Sequence, residues 1–493
     1  MLKNNALLKM ILLILFTVGL FNCSKQVTNG VTGTEKLGGR YDASLENGVS
    51  GGYAGVTPGG SQDIGYVRSI IAAGNIPDTS SFTFEGLFSE HDFYIELPVC
   101  EQVICANFAQ AAYYPIGSEQ SHRLVQLLLT SNVEIASFHH RPTQFFVVFD
   151  RSGSMTGEKF STTCNALSQL VNFLDDGDQF GLISFNHEYT LDWELSPLTA
   201  NRDSIITVIN GLSAGGSTDI ESALRAAFVQ LSETDNSDGL DQRVLLFTDA
   251  LPNTGNIAEN DFLTLAQTYA DQGIGITAFG VGLDFGIDLA TSISEIRGGN
   301  YVYLRDTDAI EELINEDFEF LITPVAYDFR LQVQSGNDYY LSAVYGLPGD
   351  ADGEFSLQAA TLFLSRSKGA IGLEFVSTGS DVTGRIAELS LSYVEAESGS
   401  PINETVVVEA AGLIMGNSEI AYDQIGAQKL VALIEMVRGM KYAVGLYING
   451  DVSTAVEHLG LVADRLNAVA VDLEDDTVLT ERDLVVALAE NME

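Results

Sequence analysis

Between residues 143 and 322 the chain alternates short, nearly uninterrupted apolar runs with longer amphipathic stretches. The apolar runs are QFFVVFD, QFGLISF, RVLLFTD and GIGITAFGVG. Apolar side chains pointing to both sides of a strand predict a parallel sheet that is covered on both faces. The amphipathic stretches predict helices at Phe160–Leu174, Arg202–Leu212, Ile220–Leu231, Glu259–Gln272 and Ala309–Leu321. This alternation predicts an α/β domain with a doubly wound, mostly parallel sheet. A ligand site in such a domain lies beyond the carboxyl ends of the strands.

The pattern changes on both sides of this segment. Residues 63–142 read as a β-rich flank, with a short helix at Ile64–Ala73 and strands at Asp92–Leu97, Leu124–Leu129 and Val133–Phe138. After Pro324 strands return as YDFRLQV, YYLSAVY, ATLFLSR, AIGLEFV and IAELSLSYV, and in the last of these Leu389, Leu391 and Tyr393 alternate with Ser390 and Ser392. Each flank is too small to bury much surface alone, so 63–142 and 323–410 are expected to pack together as a companion to the α/β domain. Residues 411–493 read as helical. One stripe holds Leu430, Leu433, Ile434 and Val437, another Val452, Val456, Leu459 and Leu466, which predicts a helical hairpin.

The N-terminus is of another kind. Lys3 and Lys9 precede and flank the apolar run Met10–Phe21, which at twelve residues is short of the roughly 20 needed to span a bilayer. It is a targeting segment, 1–22. The Gly-, Ser- and Asn-rich residues 23–62 read as a flexible tether. Net charge is −43, with 24 Lys and Arg among 67 Asp and Glu, which leaves no basic stripe for nucleic acid and disfavours adsorption to anionic lipid. Removing the leader takes away two lysines and no acid. Cys100 and Cys105 can pair in an oxidising compartment or stand as two buried thiols. Cys164 sits on a predicted amphipathic helix and reads as core.

Candidate chemistry gathers at strand ends. QFFVVFD ends in Asp150, followed by Ser152 and Ser154; RVLLFTD ends in Asp249; between them AGGSTDI places Thr218 on a Gly-rich loop that opens a helix. Carboxylate and hydroxyl oxygens are hard ligands suited to Mg²⁺, Mn²⁺ or Ca²⁺. Taken together, DRSGSM, GGSTDI and FTDALPNTG resemble the metal-ion-dependent adhesion site of von Willebrand factor type A domains, and the resemblance extends over 143–322. It implies a metal shell of Asp150, Ser152, Ser154, Thr218 and Asp249, with the serines as direct ligands and the aspartates acting largely through water. It also implies an open coordination position that a partner's Asp or Glu fills. Asp249 is followed by Ala250 where the family more often has Gly. Leu20-Phe21-Asn22-Cys23 resembles the lipobox of bacterial lipoproteins, which implies a lipid on Cys23 and a place at the cell envelope, on the outer membrane, with the lipid as the chain's sole hold on the membrane. YVRSIIAAGNIPD and GGNYVYLRDTDAIEELINEDFEFLITPVAYDFRLQV resemble bacterial proteins related to calcium-activated chloride channel regulators.

These resemblances imply metal-dependent binding of a protein partner, in adhesion or in scaffolding an envelope complex. The alternatives are a metal-dependent hydrolase and a regulatory subunit whose metal is only structural. Enzyme signatures are weak. His187-Glu188 lacks the second histidine of H-E-x-x-H, and the G-x-S-x-G matches at Ser50 and Ser213 fall in the tether and after a helix, where no nucleophile elbow forms. His139 and His140 read as loop residues, and GDADGE (349–354) as a plain turn. The expectation is therefore a binding protein and not an enzyme.

Overall fold

The computed structural model describes residues 51–55, 64–88, 90–96, 100–134, 138–249, 259–281, 293, 296–304, 313–346, 354–365, 370–378 and 384–493. The leader, Cys23, most of the 23–62 stretch, the ALPNTG segment, the first four residues of the helix expected at Ala309–Leu321 and most of GDADGE lie outside them. In chain order the elements are β1 (Gly51–Gly55), α1 (Ile64–Ala72), α2 (Phe84–Phe88), β2 (Cys105–Tyr113), β3 (His122–Glu134), β4 (Thr143–Asp150), α3 (Glu158–Phe173), β5 (Gln179–Phe185), β6 (Tyr189–Pro197), α4 (Arg202–Gly211), α5 (Ile220–Glu233), β7 (Asp241–Thr248), α6 (Glu259–Ala270), β8 (Ile274–Val281), β9 (Gly299–Leu304) and α7 (Phe318–Ile322). There follow β10 (Pro324–Ser335), β11 (Tyr339–Tyr345), β12 (Glu354–Ser365), β13 (Ile371–Ser377), β14 (Arg385–Glu395), β15 (Pro401–Glu409), the short β16 (Ile414–Met415) and β17 (Ala421–Tyr422), and three helices, α8 (Ile425–Ile448), α9 (Val452–Leu473) and α10 (Asp476–Met492).

The central segment forms a sheet in the order β6-β5-β4-β7-β8-β9, parallel except for the edge strand β6. All eight residues of β4 and all eight of β8 are buried, as continuous apolar runs require. One face packs on α3, α4 and α7 through Phe145, Val147, Leu167 and Phe318, and the other on α5 and α6 through Phe146, Val148, Phe228 and Phe262. Tyr189–Pro197 escapes a reading by apolar runs because an edge strand buries little, and none of its residues is fully buried.

The flanking strands form one antiparallel sheet, β15-β14-β10-β12-β1-β3-β2-β17-β16, with β13 joining β3 to β11. Strands from before and after the parallel-sheet domain thus share a ladder. Three expectations are corrected. Gly51–Gly55, read from its glycines as tether, is a strand paired with both β3 and β12. Leu124–Leu129 and Val133 belong to one long strand, β3, and Asp92–Glu96 has no ladder and runs irregularly, burying Phe93 and Ile95. The C-terminal region is three helices, since α10 follows the expected hairpin and buries Val478, Val485 and Leu488. Cys100 and Cys105 form a disulfide, and Cys164 is fully buried on α3. Among the described residues no helix is long and apolar enough to cross a membrane.

His140, read from sequence as a loop residue, fastens the parallel-sheet domain at its entrance. Its Nε2 lies 2.8 Å from Asp178 and its Nδ1 2.7 Å from Glu319 on α7, and the Glu319 carboxylate also accepts its backbone N–H. Both ring nitrogens face carboxylate oxygens, so both donate and the ring is an imidazolium. Burial works against that charge, but the bonds to Asp178 and Glu319 outweigh it and raise the pKa to about 10 from 6.5. A raised folded-state value contributes stability that is full below about pH 6.5 and is lost as pH climbs through about 10. Replacing His140 with Gln is expected to cost on the order of 3 kcal/mol at pH 7, with the gap to wild type closing toward pH 10. Denaturant unfolding at several pH values checks this, and a gap that widens with pH would contradict it.

Candidate metal centre

The site is assembled by the pairing of β4 with β7. Their register sets Phe149 opposite Phe247, so Asp150 and Asp249 leave adjacent parallel strands at the same edge of the sheet. The turn after β4 is laced to the Gly-rich loop before α5. Gly153 N donates to Gly216 O (2.9 Å), and Gly215 N donates to Arg151 O (2.7 Å). Gly216, at φ +99°, needs its missing side chain, since a Cβ would lie 3.1 Å from the Asn186 amide. Asn186 Nδ2 in turn donates to Gly215 O, and Asp219 caps α5 by accepting from Ser222 N.

The side chains converge in a short chain of contacts. Ser152 Oγ and Ser154 Oγ are 3.0 Å apart, and Ser154 Oγ donates to Asp249 Oδ1 at 2.8 Å. Asp150 is fully buried. Its Oδ1 accepts the Ser152 N–H (2.8 Å) and its Oδ2 the Thr248 hydroxyl (2.6 Å). Burial raises its pKa; the Thr248 and Ser152 bonds oppose this, and the charge of Asp249 adds to the rise. Thr218 stands half-buried on the adjoining loop, one residue before Asp219, and its hydroxyl bonds to none of the other four among the described residues. The structure therefore brings Asp150, Ser152, Ser154 and Asp249 together and sets Thr218 beside them.

Lys159, which sequence reading does not single out, reaches in from the first turn of α3 and places Nζ 2.8 Å from Asp249 Oδ2. Its signal is faint: a single cation in the first turn of α3. His187 is a second such neighbour, with Nδ1 3.3 Å from where a Gly216 Cβ would lie.

The donor set fits a hard divalent cation. One ammonium pairs with Asp249, the buried Asp150 carboxylate is destabilised by its acidic neighbour, and the remaining donors are hydroxyl oxygens. Among the described residues no group of three His, Cys, Asp or Glu converges, so neither a zinc-type set nor an all-carboxylate cage accounts for the site.

Comparison with known proteins bears on the domain that carries the site. The family model for the von Willebrand factor type A domain matches residues 145–316. The chain is 27% identical over 165 residues to inter-alpha-trypsin inhibitor heavy chain H2 of Sus scrofa, covering 32% of this chain and 18% of that protein. It is 24% identical over 189 residues to the uncharacterized protein YfbK of Escherichia coli (strain K12), covering 38% of this chain and 32% of that protein. The chain thus spans 18% and 32% of the length of these two relatives. Among solved structures it is similar to a von Willebrand factor type A protein from Catenulispora acidiphila, with TM-score 0.46 and 16% identity over 79% of this chain and 91% of that one.

Proposed function

Since residues 145–316 form a von Willebrand factor type A domain, we propose that the Asp150 site binds one divalent cation, Mg²⁺ or else Mn²⁺ or Ca²⁺, and through it a carboxylate on a protein partner. The observation that carries this reading is the meeting of Asp150, Ser152, Ser154 and Asp249 at the carboxyl edge of a parallel sheet, beside Thr218. In this role Ser152 and Ser154 hold the cation directly. Asp150 and Asp249 supply the charge through bound water, and Thr218 closes the shell from the next loop. The metal's share is that of a Lewis acid, which attracts the partner's acidic group. The reading is one of binding without turnover. Ser152, Ser154, Thr248 and Lys159 engage the two carboxylates.

The test is capture of envelope proteins by the immobilised full chain. Binding is expected with Mg²⁺ present, and is expected to be lost in EDTA and in the Asp150→Ala variant. Partners retained equally in all three would mean that the metal only supports the fold.

We further propose that Cys23 carries a lipid and holds the protein at the cell envelope. The support is the short apolar run ending at Leu20-Phe21-Asn22-Cys23. Intact-mass analysis is expected to show an acylated Cys23 as the first residue. An unmodified cysteine there, or an intact leader, would refute the assignment.

A further inference from the structure

At the opposite end of the same sheet the structure holds a second feature. A cavity of about 60 Å³ lies between the amino edge of β7, β8 and β9 and the start of β10. The separation from the Asp150 site is roughly 20 Å, six residues of strand at about 3.3 Å each. On the measure by which a single water needs about 15 Å³, the space holds about four waters, or one oxyanion of phosphate size.

Arg243 lines this cavity and is 5% exposed. Its Nη1 is committed, donating to Thr277 Oγ1 at 2.8 Å and to Gly298 O at 3.0 Å. Its Nε and Nη2 have no acceptor, and its guanidinium no carboxylate within ion-pair distance, among the described residues. Acids are not scarce in a chain with 67 of them to 24 Lys and Arg. The neighbouring cations do have acids: His140 pairs with Asp178 and Glu319, and Arg297 with Asp328. Asp241, the acid on the cavity wall, is taken by Arg141 at 2.9 Å. A buried guanidinium without a directly paired carboxylate is costly; burial depresses the Arg243 pKa to about 10, against the smaller upward pull of Tyr327 and Asp241.

The surroundings keep this group in place. A Cβ at Gly275 would come within 2.9 Å of Nη2, so glycine there makes room for the guanidinium. Phe363 of β12 lies under the Arg243 guanidinium, its ring centroid 5.8 Å away. Arg297 stacks over Tyr327 of β10 at 4.2 Å on another wall. Nε and Nη2 form the side-on fork of an arginine, two parallel N–H donors that match two oxygens of one anion.

We propose that this cavity is an anion site: a small oxyanion of phosphate or sulfate class binds there, bidentate to Nε and Nη2 of Arg243, with Arg297 adding charge at the rim. The walls come from both domains, so the bound ion ties the base of the parallel sheet to β10 of the companion sheet. The site is independent of the metal centre and stands or falls apart from it.

The test uses the full chain, stripped of metal on a chelating resin so that no phosphate binds through a cation. Inorganic phosphate and sulfate are titrated by calorimetry and by thermal unfolding, with sodium chloride at matched ionic strength as the reference. Saturable binding with a dissociation constant near or below about 1 mM is expected, together with stabilisation that grows with the factor 1 + [anion]/Kd. Arg243→Lys keeps the charge but loses the fork and is expected to weaken binding about tenfold. Arg297→Gln, a change at a part-exposed residue, is expected to weaken it about threefold and serves where the buried variant fails to fold. A wild-type response no greater than that to chloride overturns the proposal. Unchanged affinity in a folded Arg243→Lys, or in Arg297→Gln if Arg243→Lys does not fold, also overturns it.

Discussion

Asp150→Ala is expected to lower Mn²⁺ affinity by on the order of 100-fold or more, because even groups one shell removed from a bound metal are worth 10–100-fold. Asp150 is the hub of the centre. It is fully buried, it orders the turn by accepting Ser152 N–H, and it takes the Thr248 hydroxyl from the adjacent strand. Its loss removes one of the two negative charges and frees the Ser152 backbone from its anchor. The domain is expected to stay folded, since the site lies at a strand end and the core on both faces of the sheet is untouched. Two donors left without an acceptor cost about 1–3 kcal/mol. Asp150→Asn, which keeps both contacts in outline, is expected to cost less stability but also to lose most of the affinity. Calorimetry with Mn²⁺ and circular-dichroism melting separate the two effects. Equal affinity in wild type and in a folded Asp150→Ala would end the metal reading.

What the sequence made legible follows from the range of the interactions involved. The parallel sheet was readable because strands such as β4 and β8 are buried on both faces and have little but apolar residues to show. The meeting of Asp150, Ser152, Ser154 and Asp249 was readable because three of them lie within five positions and the fourth ends a predicted strand. Lys159 was not, because only the geometry of the first turn of α3 directs it toward Asp249. Gly51–Gly55 misled because small residues mark both flexible chain and a strand held between two longer ones. His140 is a loop residue as expected, but its ion pairs were not legible because its partners, Asp178 and Glu319, are 38 and 179 residues away. Arg243, at the start of a predicted strand, gave no sign that it would be buried without an acid.

Glu374→Ala is expected to destabilise the companion domain by about 3–5 kcal/mol, the cost of removing one partner from a buried charged network. Glu374 lies on β13 and is 2% exposed. Its carboxylate accepts the Tyr113 hydroxyl of β2 at 2.8 Å, and also faces the Tyr345 hydroxyl of β11, His122 Nδ1 of β3 and, at 3.3 Å, Arg438 Nη1 of α8. One side chain thus joins four strands, drawn from both flanks of the chain, to the longest C-terminal helix. One turn earlier on α8, Glu435 accepts from Arg465 of α9 at 2.7 Å, so the network reaches the second helix as well. Burial works to raise the pKa of Glu374, but His122, Tyr345, Arg438 and Tyr113 outweigh it and hold the pKa down at about 2, from 4.5. A lowered folded-state value contributes stability above about pH 4.5, and that contribution is lost as pH falls toward 2. The gap between wild type and Glu374→Gln should therefore be full at neutral pH and shrink through that acidic window. Alanine leaves four polar groups facing a hole, whereas glutamine keeps the shape and one accepting oxygen, so the alanine variant should be the weaker. Urea unfolding at pH 7 measures the first difference and a pH series the second. A loss below about 1 kcal/mol for Glu374→Ala would show that the sheet and the C-terminal helices hold together by apolar packing alone, with the buried acid adding nothing beyond it.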